Sequence, residues 1–243
     1  MCFSLQIDAD IEKLCKLFNA VTSKEDFDQL YRMQQLEKNT APKEMKRILG
    51  LKQNPKALLF SRRPDEEERI YPGTFTSVLT TQGKQRTFLP MRYRVRPHGS
   101  KEEIPSKYNV FNARLDSLEY RKTWSPLFMK KHALMPFKKF YEWVEWEDRS
   151  RLISFAPKDK EVMWAPALYD HWSSPHSEFS FYSFAIITTT PPPEIAQKGH
   201  DRCPIFLHHE GIEDWLHPEG QNATDIYNIL GHQEEVTYES NWV

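Results

Sequence analysis

The sequence predicts an α+β fold in which a mostly antiparallel, barrel-like β core carries helices at its periphery. Two observations predict it. Up to about residue 60 apolar residues recur with helical spacing, and after Arg69 the chain breaks into short β-branched and aromatic runs separated by turn residues. A third observation, the lack of any internal repeat or flexible linker, favours one domain over 1–243 with an expanded helical segment at about 8–60. At 243 residues, 13% aromatic and 28% charged, the chain can bury a core and does not have the composition of a disordered segment.

The elements follow in order. In "DADIEKLCKLFNAV" the residues Ile11, Leu14, Cys15, Leu17 and Phe18 form an apolar helical stripe, which makes Cys15 a core residue, and Asp8 or Asp10 is placed to cap its start. "SKEDFDQLYRMQQLEK" reads as a second helix, with Ser23 as its cap and Asp26 three residues on. Pro42 is suited to open a third, short helix, and "SRRPDEEER" reads as a charged loop. "TFTSVLT", "RTFLPMRYRV", "HALMPF", "KFYEWVEW", "RLISFAP", "VMWAPALYD" and "FSFYSFAIITTT" read as strands of a sheet or barrel. "ATDIYNILGH" reads as a late helix.

Composition narrows the function classes. The three cysteines, Cys2, Cys15 and Cys203, show no C-x-x-C spacing, which argues against a disulfide framework and a structural zinc site; no metal and no small-molecule cofactor is expected. No apolar signal region follows a basic start, and no run approaches the ~20 apolar residues of a membrane span. The expectation is a soluble, cytoplasmic monomer without membrane contact. The net charge of −1 conceals an asymmetry. Residues 81–140 hold fourteen Lys/Arg against four Asp/Glu, a local net of +10, whereas residues 210–243 hold eight acids and no Lys or Arg. A basic middle interleaved with Phe88, Tyr93, Tyr108, Phe111 and Trp124 reads either as ordinary solvated faces or as a groove for phosphates and bases.

Four places could carry chemistry. Removal of Met1 from the opening "MCFS" would leave Cys2 with a free α-amine and a thiol on one Cα. That 1,2-aminothiol can condense with an aldehyde, or the amine can serve the sulfur as base. "VFNARLDS" brings Asn112 and Arg114 into apolar surroundings. In "KFYEWVEW", period two puts Phe140, Glu142, Val144 and Trp146 on one face, so Glu142 is either a paired core charge or an acid tuned by burial. In "KGHDRCPIFL", His200 precedes a β-like run and is suited to proton transfer near pH 7.

Taken together, "MC" at 1–2, "YPGT" at 71–74, "MRYRVRP" at 91–97, "FNARLDS" at 111–117, "FKKFYEWVEW" at 137–146 and "GHDRCPIFL" at 199–207 resemble the SOS response-associated peptidase (SRAP) family, whose members crosslink to abasic sites in single-stranded DNA. The resemblance spans nearly the whole chain. It implies that Cys2 is the nucleophile after autoproteolytic loss of Met1, that Asn112 orients the cysteine or the sugar, and that Arg114 contacts backbone phosphate. It implies further that Glu142 is the general acid/base, and that His200 helps open the sugar and shuttles protons. Lyase chemistry belongs to the same expectation, as does a nucleoid or nuclear setting according to the host. On this reading Arg92, Tyr93, Arg94, Arg96, Arg114, Lys122 and Arg202 contact DNA, and Cys203 is packing. The chain departs from the family's Met-Cys-Gly-Arg start at Phe3 and Ser4, which removes an arginine expected to hold phosphate, and Tyr93 stands where tryptophan is usual. Arg94 and Arg96 are candidates to compensate. The alternatives are an N-terminal-nucleophile amidohydrolase or glutamine amidotransferase, which would use a glycine-rich oxyanion loop not evident among eight glycines, and a non-catalytic single-stranded DNA-binding relative.

Overall fold

The computed structural model describes residues 3–52 and 60–243, and its main strands fall on the short β-branched and aromatic runs of the sequence. In chain order the elements are β1 (Ser4–Gln6), α1 (Ile11–Phe18), β2 (Val21–Thr22), α2 (Lys24–Asn39), α3 (Pro42–Leu49), β3 (Arg69–Ile70), β4 (Phe75–Gln82) and β5 (Gln85–Tyr93). Then come β6 (Asn112–Arg114), β7 (His132–Phe137), β8 (Lys139–Trp146), β9 (Arg149–Pro157), β10 (Met163–Ser173) and β11 (Ser180–Thr189). The chain closes with α4 (Pro193–Ala196), β12 (Cys203–Pro204), α5 (Ile212–Leu216), α6 (Ala223–Gly231) and β13 (Tyr238–Trp242).

Five strands close a barrel. β11, β10, β7, β4 and β5 pair in that order, each antiparallel to the next, and β5 then meets β11 in parallel through Tyr182↔Met91, Ser183↔Arg92 and Phe184↔Tyr93. Closure leaves no free edge in the ring, and the one parallel contact makes the barrel mixed. A second, antiparallel sheet runs β13–β9–β8–β1–β3. A continuous apolar cluster joins the two: Leu5, Ile70, Phe140 and Phe155 from this sheet pack with Met91, Met135, Ala165 and Phe184 of the barrel. The predicted α+β class, with a barrel core and peripheral helices, is the observed one.

The helices start where the sequence supplies caps. Asp10 accepts the Lys13 N–H at 2.9 Å and Ser23 accepts that of Asp26 at 3.4 Å. Asn222 and Asp225 form a reciprocal capping box on α6. Gly50 ends α3 in the left-handed region at φ +60, where an added Cβ would overlap the carbonyl oxygen of Lys101. Met33, Met45, Ile48 and Leu49 of α2 and α3 pack on Phe75, Trp172, Phe179 and Phe181, so the expanded segment is seated on the barrel. Cys15 packs against the second core cluster. Among the described residues no helix is long and apolar enough to cross a membrane.

Candidate active site

The site is assembled by two strand pairings that lie far apart in sequence. β1 runs antiparallel to β8 with Ser4↔Tyr141, and the Phe3 N–H donates to the Tyr141 carbonyl at 3.0 Å. The start of the described chain therefore lies against the strand that carries Glu142. Farther along, the C-terminal end of β11 is flanked on one side by β6 (Thr188↔Arg114) and on the other by β12 (Thr188↔Pro204). "NAR" and "HDR" thus meet across a single strand. Cys2, the expected nucleophile, lies outside the described residues.

Glu142 and His200 form a buried pair. Glu142 is 1% exposed, on the same inward face of β8 as Phe140 and Val144, while Trp143 and Glu145 point out as the alternation requires. His200 Nε2 lies 3.1 Å from Glu142 Oε2. On the other side of the ring, His200 Nδ1 is 2.6 Å from the Arg202 carbonyl and 3.2 Å from the Arg202 N–H. The short contact to a carbonyl, which can only accept, assigns the Nδ1 proton to Arg202 O. Nε2 and Oε2 lie within hydrogen-bond distance, so a proton on one of them can pass directly to the other.

Asn112 is 4% exposed and accepts from the Tyr93 hydroxyl at 3.0 Å. Tyr93 is fully buried, stacked on Phe184 at 5.1 Å and edge-on to Phe111. Its ring is committed to the core and its hydroxyl to Asn112, so it positions a site residue; the expectation that it stacks on a base is corrected.

Arg92, Arg94 and Arg96 do not line a surface groove. Arg92 grips Glu103 with two bonds of 2.7 and 3.0 Å and is 2% exposed. Arg96 is fully buried, bonded to the Leu49 carbonyl at 2.5 Å and lying 3.5 Å over the Trp172 ring. Arg94 donates to the carbonyls of Ile104 and Pro105 and approaches Glu103 at 3.7 Å. Burial alone would raise the Glu103 carboxyl; the three guanidiniums, Arg92 foremost, outweigh it and hold the group below the usual range. The basic run "MRYRVRP" is therefore interior structure, and these three residues are corrected as DNA contacts.

Arg114 and Arg202 are joined by Asp116. Arg114 pairs with it at 2.7 Å, and Arg202 reaches the same oxygen at 3.3 Å. The hydrogen bond from Arg114 draws Asp116 down to about 2 against the opposing effect of burial, with Arg202 adding to the lowering. Arg202 also supplies the carbonyl that holds His200, which ties this cluster to the Glu142–His200 pair through the backbone. Lys122 is exposed in the turns after β6 and has no contact with this cluster. Cys203 is buried and its thiol is pushed up to about 12 by burial, with Glu142 adding to the shift; it is packing, as expected.

The sequence reading passed over an aromatic and cationic rim at the start of β1. Phe3, 36% exposed, meets Tyr71 and Trp143 edge-on at 5.8 and 6.2 Å, and Trp143 is half exposed. Beneath them Arg69 Nε donates to Ser4 Oγ at 2.8 Å, with its guanidinium 3.7 Å over the Tyr141 ring. "YPGT" pointed to Tyr71, but Arg69 was hidden by the acid-rich "PDEEER" before it. Asp116 could have been found from its Arg-x-Asp spacing to Arg114.

The model of one family, SOS response associated peptidase (SRAP), matches residues 1–243. A Bacillus subtilis protein named abasic site processing protein YoaM is 25% identical over 162 residues, covering 66% of this chain and 70% of its own. The Saccharomyces cerevisiae abasic site processing protein YMR114C is 28% identical over 147 residues, covering 60% of this chain and 38% of its own. Crystal structures of a Bacteroides thetaiotaomicron protein (TM-score 0.69, all of this chain and 92% of that one) and a Bordetella bronchiseptica protein (TM-score 0.68, all of this chain and 99% of that one) share the fold at 17% identity. With the family model matched from end to end, the chain belongs to the SOS response associated peptidase (SRAP) family.

Proposed function

We propose that the chain processes abasic sites, as the names of its bacterial and yeast relatives describe for those proteins, that its substrate is single-stranded DNA, and that it acts by forming a thiazolidine through Cys2. The observation that carries this reading is the buried Glu142–His200 pair at 3.1 Å, set beside the strand that leads to the start of the chain. Hydrolysis of the Met1–Cys2 peptide bond consumes one water and exposes the α-amine. An α-amine has a pKa of about 7.7–8.0, so a useful fraction is neutral at pH 7. The amine nitrogen adds to the aldehyde carbon of the ring-opened sugar and gives a carbinolamine. A proton from the Glu142–His200 pair leaves with the hydroxyl as water, and an iminium remains. The Cys2 sulfur adds to the same carbon, its proton passing to the pair, and the five-membered ring closes. The sum is one aldehyde and one aminothiol joined with loss of one water.

The other groups have supporting roles in the same reading. Asn112, fixed by Tyr93, orients the cysteine or the sugar, and Arg114 and Arg202 face the backbone phosphates. Phe3 and Trp143 offer apolar faces to neighbouring bases, a sequence-tolerant contact suited to single strands. Lyase chemistry would start from the same iminium: a base of the pair takes a proton from the sugar C2′, the 3′ phosphate leaves by β-elimination, and the strand breaks.

Intact mass spectrometry of the protein, alone and after incubation with abasic single-stranded DNA, tests this. The expected result is loss of one methionine residue and then a mass increase equal to the oligonucleotide less one water. Full retention of Met1 in protein that still forms the adduct would sink the aminothiol mechanism. Cys2→Ala should abolish the adduct and retain non-covalent binding.

A further inference from the structure

Arg69 is a cation held in place without an anion. It is 6% exposed, on the two-residue strand β3, opposite Gln6 of β1. Ser4 Oγ accepts from its Nε, Tyr141 lies flat against one side of the guanidinium, and Tyr71 is 5.1 Å from it on another. Its two terminal nitrogens make no hydrogen bond and no ion pair among the described residues. Two of the acids near it have other partners. Asp65 accepts from the backbone of Glu67 and Arg69 and from the Tyr71 hydroxyl, and Glu68 pairs with Lys138. Burying a guanidinium without a counter-ion is costly unless a ligand supplies one, and Arg is the side chain whose fork fits a phosphate.

We infer that Arg69, positioned by Ser4 and Tyr141, holds the DNA phosphate next to the lesion. This rests on the abasic-DNA reading above and deepens it. Ser4 of β1 fixes the arginine's approach. A phosphate oxygen accepts from the two Nη groups. Tyr71 and Tyr141 hold the fork's plane, and the Phe3–Trp143 rim covers the flanking base. The charge that this chain lacks at position 4 is thereby supplied from β3.

The test uses single-stranded oligonucleotides with a tetrahydrofuran in place of the abasic sugar, which cannot form an adduct, and with one backbone phosphate at a time replaced by a neutral methylphosphonate. For the wild-type protein, one position beside the lesion is expected to lower affinity about tenfold, the scale of one charge-assisted fork. In Arg69→Gln that penalty should vanish, and the slope of log affinity against log salt should fall by about 0.7, one phosphate's share for a single strand. Ser4→Ala removes the oxygen that holds Nε and should shrink the penalty at that position alone, which keeps the inference testable if Arg69→Gln does not fold. Penalties and slope unchanged in both variants, or no sensitive position in a wild type that binds and crosslinks, overturn the role of Arg69 and leave the abasic-site reading standing. A wild type that binds none of these oligonucleotides and forms no adduct overturns that reading itself.

Discussion

Glu142 and His200 lie within hydrogen-bond distance of each other, and their substitution should separate two steps of one reaction. Glu142→Gln keeps shape and hydrogen bonds but cannot cycle a proton, and adduct formation should slow by about 10²–10⁴-fold with binding near normal. His200→Ala should slow formation less and reversal more, read as release into excess unlabelled abasic DNA. If Glu142→Gln crosslinks at the wild-type rate, Glu142 is a structural carboxylate. At the same scale, Asp116 competes with phosphate for Arg114 and Arg202. Asp116→Asn should tighten binding of an abasic-analogue oligonucleotide about two- to fivefold at low salt, as two guanidiniums lose a shared acid; weaker binding would mean that Asp116 holds them in their working orientation. Glu142 was legible in the sequence because strand alternation names its face and its aromatic neighbours. The arginines of "MRYRVRP" were misread because a charge count does not see a partner, and Glu103, which turns three of them inward, lies seven to eleven residues on.

Elements decide which residues meet. β4, β5 and β7–β11 were readable as short β-branched and aromatic runs between turn residues, α1 and α2 from their caps, and α3 from Pro42, because those signals are local. The parallel contact of β5 with β11 and the insertion of β6 and β12 along β11 were not readable, because pairings separated by tens of residues leave no periodic trace. Those pairings are what bring Asn112, Arg114 and Arg202 together, so the site was legible as a set of residues and not as a geometry. Tyr93 shows the consequence. Its place at the end of β5 sends the hydroxyl to Asn112 on β6. Tyr93→Phe keeps the packing on Phe184 and removes the bond to Asn112, with an expected loss of about 1–2 kcal/mol of stability. Adduct formation should slow more than non-covalent binding weakens, because Asn112 loses its orientation while the arginines are untouched. Equal losses of both would show that Tyr93 supports the fold alone.

Across the whole molecule, the charge asymmetry has a structural side that can be separated from DNA binding. The Arg92–Arg94–Arg96 cluster around Glu103 ties the end of β5 to the loop after it, and Arg96 extends the tie to α3 through the Leu49 carbonyl. Glu103 is the only acid paired with these three guanidiniums among the described residues, and two of the three are nearly inaccessible to water. Removing it leaves buried cations uncompensated, which costs about 3–5 kcal/mol. Glu103→Gln should therefore lower the melting temperature by roughly 10 °C for a chain of this size. The sign of the pH effect follows from the direction of the shift. The folded-state pKa of Glu103 is depressed, so its stabilisation is fully present above the unfolded value of about 4.3 and is lost as pH falls through the folded value. The difference in unfolding free energy between wild type and Glu103→Gln should be constant from pH 7 to about pH 5 and should shrink below that, as wild-type Glu103 takes up a proton. Urea melts of the two proteins across that range measure it. A difference that stays constant down to pH 3 would mean that the cluster does not depend on the charge of Glu103, and that the basic run is held inside by packing on Phe60, Trp172 and Phe181 instead.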